Sequence, residues 1–121
     1  MDFKDDNIIQ KKSSGFELKI IELYQLCKLQ NEFVISKQLL RCGTSIGANV
    51  EESIAAQSKS DFISKLSIAN KEARETKYWL KLYEHSKIVN IDVSNYLLEI
   101  EHIINILTKI IKTTQENQSK K

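Results

Sequence analysis

Glu99 and His102 stand in a Glu-x-x-His spacing, which sets both side chains on neighbouring turns of one helix face. Ferritin-like bundles hold di-iron sites with that spacing, but they need two such motifs and two further inward carboxylates. Here there is one motif. His102 falls opposite the apolar stripe of its own segment, beside Asn95 and Asn105, so a solvated histidine and no metal site are expected. His85 falls at the end of a helical segment, where a cation complements the dipole. Glu51, Glu52, Glu72 and Glu75 could be imagined as paired acids. Arg41 and Arg74 lie within a few helical turns of them, and ion pairs between two helices would set register without catalysis. No Ser-His-Asp logic, P-loop or GxGxxG is present. The residue types disclose no reaction, so a protein that is not an enzyme and needs no cofactor is expected.

Charge is a second source of chemistry. The chain carries 18 basic and 16 acidic residues, a net +2, too near neutral to diagnose a nucleic-acid binder. The balance is uneven, however. Residues 58–88 hold seven basic and four acidic residues, +3, against −1 for residues 1–57 and zero for 89–121. Lys59, Arg74, Lys77 and Lys81, with Asn70 among them, fall on nearly one azimuth of a helix. A solvated helix face is one reading. Repeated around an oligomer, the stripe would instead make a belt for phosphates.

The elements that must position these groups follow from composition and period. One domain is expected from 121 residues. Apolar residues are 41% and charged residues 28%, which excludes wholesale disorder. The absence of proline suits long helices. Two cysteines, Cys27 and Cys42, make no disulfide framework, and both sit at core-like positions. No apolar run approaches the roughly 18 residues of a membrane helix, and MDFKDDNIIQKK lacks a signal-peptide apolar region. A cytoplasmic protein with no membrane partner is therefore expected.

Four helical segments are legible. The first spans about 15–29, with an earlier turn near 7–12 and a break at Ser13, Ser14 and Gly15. The second spans about 36–57, or begins a turn earlier, with Ser36 as a reasonable N-cap. The third spans about 59–85, opened by Ser58 and Asp61 as a capping box. The fourth spans about 93–114 after Asp92, followed by a fraying polar tail, 115–121. Short connections make an all-α, up-down-up-down antiparallel four-helix bundle. Gly43 and Gly47 form a G-x-x-x-G in the second helix, spacing that lets another helix approach closely.

The fourth segment carries more apolar surface than one core uses. Val93, Leu97, Ile100, Ile104, Leu107 and Ile111 form a stripe; Tyr96, Ile103, Ile106 and Ile110 widen it to about 180°, beyond the roughly 100° that meets a single core. Ile68, Trp79 and Leu82 project away from the stripe of the third segment. Deep burial within one bundle would account for the excess. A contact with other subunits through Tyr96, Ile103, Ile106, Ile110 and Trp79 is the preferred expectation.

The stretch SKQLLRCGTSIGANVEES (36–53), followed by DFISKLSIANKEARETKYWLKL (61–82), resembles a four-helix bundle family. That family is named after an open reading frame in the intervening sequence of bacterial 23S ribosomal RNA genes. The resemblance covers nearly the whole chain, with Cys42 where serine is more usual. It implies an all-α bundle assembling as a homo-oligomeric ring, best supported as a homopentamer, and no established enzymatic activity. The family is also similar in fold to the pentameric accessory protein of diversity-generating retroelements, which engages a reverse transcriptase and nucleic acid. Its sequence blocks fall on Arg41, Gly43, Ser45, Gly47, Asn49 and Glu52, and on Lys71, Glu72, Arg74, Glu75 and Trp79. No catalytic role carries over to them; they are expected to pack and pair the second and third helices, or to line a subunit contact. The partners expected are further copies of the chain and RNA, DNA or a nucleic-acid-processing protein. A structural or protein-interaction scaffold with no nucleic-acid role is the alternative.

Overall fold

The computed structural model describes residues 7–119. Residues 120 and 121 of the expected tail lie outside them, as do residues 1–6 of the N-terminal stretch. The described residues form four α-helices and no strand: α1 (Ile8–Leu29), α2 (Ile35–Ile54), α3 (Lys59–Ser86) and α4 (Ser94–Ser119). Each packs on its neighbours in sequence, and α4 closes back on α1. Gln10 meets Glu51 and Lys19 meets Glu99, while Asn70 meets Thr108 and Ser60 meets Gln118. These pairings run α1 against α2, α1 against α4 and α3 against α4, the antiparallel order of a four-helix bundle.

The helix ends explain where the sequence reading shifts. α1 is unbroken through Ser13 and Ser14, because their hydroxyls donate back to the Ile9 and Lys11 carbonyls at 2.8 and 3.0 Å. Those bonds satisfy two buried polar groups inside the helix. It ends at Asn31, whose φ of 62° suits the left-handed C-terminal turn that Asn tolerates. The start of α2 is capped by Glu32 rather than Ser36. Its carboxylate accepts the Val34, Ile35 and Ser36 N–H groups, each at 2.9 Å. α2 stops at Ile54, three residues short of expectation. α3 opens as expected, with the Ser58 hydroxyl oxygen accepting the Asp61 N–H at 3.0 Å. α4 runs on to Ser119 rather than fraying from 115.

One core fills the bundle. Phe16, Ile20, Leu23 and Cys27 of α1 meet Leu39, Ile46 and Val50 of α2, Leu66, Leu80 and Tyr83 of α3, and Ile100, Ile103 and Leu107 of α4. Both cysteines are free and fully buried. Burial pushes the Cys42 thiol up to about 11 against the opposing Thr76 hydroxyl, which donates to its sulfur at 3.2 Å. Neither thiol is a nucleophile in that state.

Candidate functional site

The α1–α2 seam is built by the two glycines of α2. A Cβ on Gly43 would lie 3.0 Å from Ile20 of α1, and one on Gly47 would lie 2.0 Å from the Glu17 carboxylate. The G-x-x-x-G thus serves approach to α1, not to α3. Burial, countered by the Gly47 backbone and helped by the nearby Glu51 charge, raises Glu17 to about 7. The α2–α3 seam is held by Arg41, which pairs with Glu72 at 3.4 Å and with Glu75. Glu75 also accepts the Trp79 indole N–H at 3.0 Å. Asn49 bonds within its own helix, to the Ser45 carbonyl and hydroxyl, and Glu52 is exposed with no ion pair among the described residues. Asn49 and Glu52 therefore do not link α2 to α3.

The widened arc of α4 turns inward. Ile103 is 1% exposed in a single chain, which removes it from any subunit contact. Tyr96, Ile106, Ile110 and Trp79 are half-buried and packed on the same core. The protomer itself takes up most of the excess surface, because α4 must meet both α1 and α3. Much of the apolar surface left outside lies on α1 and the turn after it: Leu18 (63% exposed), Ile21, Leu26, Leu29 (80%), Phe33 and Val34; Ile54, Ile68, Ile88 and Leu98 are exposed elsewhere. On α1, Leu18, Ile21 and Leu29 lie across the helix from the core stripe of Phe16, Ile20, Leu23 and Cys27, interleaved with the exposed Glu22, Gln25 and Lys28. The signal was present in GFELKIIELYQLCKL; an inner stripe read alone hides it.

Glu99 and His102 sit at the seam between α1 and α4. Glu99 pairs with Lys19, and His102 is exposed at the rim of a cleft between α1 and α4 that Lys11, Lys12 and Gly15 also line. Among the described residues, no three His, Cys, Asp or Glu side chains converge as ligands would.

The basic stripe divides. Lys77 faces α4 and pairs with Glu101 at 2.7 Å, and Asn70 bonds Thr108 on the same seam. Lys59 stands at the far end of α3, about 22 Å of helix from Arg74. Arg74 and Lys81 are exposed and form no ion pair among the described residues. Their charges act on the Glu101 carboxylate, which is held below its ordinary range first by the Lys77 hydrogen bond, then by the charges of Lys77, Lys81 and Arg74. Lys71, also exposed, joins them on the outer face, and so does Tyr78, which is 56% exposed. A stripe chosen by charge alone passes over that ring.

The family model of the 23S rRNA-intervening sequence proteins matches residues 5–109. A solved structure of similar sequence is a protein of unknown function from the S23 ribosomal protein family of Bacteroides thetaiotaomicron VPI-5482. It is 46% identical, the match covers 88% of this chain and 97% of that one, and the TM-score is 0.83. No curated protein matches.

Proposed function

Because the chain belongs to the 23S rRNA-intervening sequence protein family, we propose that it acts without catalysis, as a homo-oligomer that binds RNA or DNA through repeated basic surfaces. The observation that carries the reading is the outer face of α3, where Lys71, Arg74 and Lys81 are exposed and form no ion pair among the described residues. Surface cations are usually interspersed with acids that offset them. Here Glu72 and Glu75 of α3 are engaged by Arg41 and, on α4, Glu101 by Lys77. Cations left without partners gain most from phosphates, whose counterions they release. Subunits would meet through Leu18, Ile21, Leu26 and Leu29 of α1, which multiplies the α3 face around the assembly.

Anisotropy titration of a labelled RNA at about 50 mM and about 200 mM salt tests this directly. The double reversal Arg74→Glu with Lys81→Glu should weaken binding more than tenfold at the lower salt. Affinity indifferent to salt, or no binding at low salt, rejects it. A second reading, a protein-interaction scaffold, is favoured by the α1 apolar face. Under it, the same reversals leave every partner bound, and Leu29→Glu releases the partner.

A further inference from the structure

Along α3, Lys71, Arg74, Tyr78 and Lys81 recur at steps of three, four and three residues. That spacing keeps all four on one face, over about 15 Å of helix. All four are exposed. The Tyr78 ring is not free to collapse onto the helix, since it stands edge-on to Trp79, with centroids 5.1 Å apart and planes at 68°. Trp79 is itself fixed, half-buried against the core and hydrogen-bonded to Glu75, which Arg41 holds in turn. A chain of contacts from α2 therefore presents an aromatic face to solvent, with a guanidinium one turn before it and an ammonium one turn after it.

An exposed tyrosine costs solubility and adds nothing to the core. Between two unpaired cations it supplies what a basic ridge lacks, a platform for an unstacked base. Duplex DNA and RNA hide their base faces, whereas single strands offer one at every nucleotide. We propose that the ridge Lys71–Arg74–Tyr78–Lys81 binds single-stranded nucleic acid, with Tyr78 stacking a base while Arg74 and Lys81 take the flanking phosphates and Lys71 the next one along. This rests on the nucleic-acid reading above and narrows it to unpaired strands.

Three labelled probes test it on the full chain: a pyrimidine single strand, an abasic strand of the same length, and a duplex. Wild type should prefer the pyrimidine strand to the abasic strand by about tenfold, the value of one stacked base. It should also prefer that strand to the duplex. Tyr78→Ala should lose that tenfold on the pyrimidine strand and bind the abasic strand unchanged; Tyr78→Phe should keep the preference. The single tryptophan gives a second readout, because a base on Tyr78 alters Trp79 emission. If Tyr78→Ala retains full preference for bases, while Arg74→Glu with Lys81→Glu weakens all three probes, stacking is wrong and the phosphate reading stands. If wild type binds none of the probes, both readings fall together.

Discussion

At the scale of single residues, the three glycines differ in what surrounds them. Gly43 faces the branched, fully buried Ile20. Alanine there gains about 0.5–1 kcal/mol of helix propensity but crowds a side chain with nowhere to move, at about 1–3 kcal/mol. Gly43→Ala should therefore lower the urea midpoint. Gly15 has open space where a Cβ would go, so Gly15→Ala should raise the midpoint by the propensity gain alone. Gly47 faces the end of a flexible Glu17 side chain, and alanine there should push the carboxylate towards water at little net cost. Glu17 adds a pH dependence. Its folded value of about 7 exceeds the ordinary 4.5, so between those values the folded chain holds more protons than the unfolded one. Stability from this group is full below about pH 4.5 and declines as pH rises to about 7. Thermal melts of Glu17→Gln should lack that decline and, at about pH 8, show a gain of about 1 kcal/mol after allowance for partial exposure.

At the scale of elements, the helices were legible and their ends less so. Apolar period located all four segments, since that signal is spread over many turns. A cap depends on a few atoms. Ser58 and Asp61 lie close in sequence to the groups they serve, and their pattern is readable. Glu32 caps α2 from outside the usual motif, and its fourth donor, the Tyr83 hydroxyl, comes from 51 residues away. Burial pushes Glu32 up, but Tyr83 and the three N–H groups prevail and hold it below the ordinary carboxylate range. Its contribution is thus present above about pH 4.5 and lost on acidification, opposite in sign to that of Glu17. Glu32→Ala leaves three backbone donors and a buried hydroxyl without their acceptor. It should cost about 3 kcal/mol, read as a lower denaturation midpoint at neutral pH. The same logic applies to the subunit contact expected on α4. A wide apolar arc reports contact area, and whether a neighbouring helix or another subunit covers it is a property of the packed bundle.

At the scale of the whole molecule, two surfaces outside the core bear on the proposed role. One is the apolar outer side of α1 with Phe33 and Val34; the other is the basic ridge of α3. The candidate ridge was half legible, because Arg74 and Lys81 follow from charge and azimuth. The loss of Lys77 to Glu101 and the presence of Tyr78 depend on which side of α3 faces α4. If α1 is the subunit contact, Leu18→Lys with Leu29→Lys should convert the oligomer to monomer in light scattering with its helical content intact. Ile103→Ser, deep in the protomer core, should instead unfold the chain.

The most direct test of the account is the slope of log affinity against log salt for a single-stranded oligonucleotide. Each phosphate neutralised on a single strand contributes about 0.7 to that slope. The triple variant Lys71→Gln, Arg74→Gln, Lys81→Gln should flatten it by about 2 relative to wild type, with folding and assembly preserved. A slope that stays the same in the triple variant would contradict placing the phosphates on this face of α3.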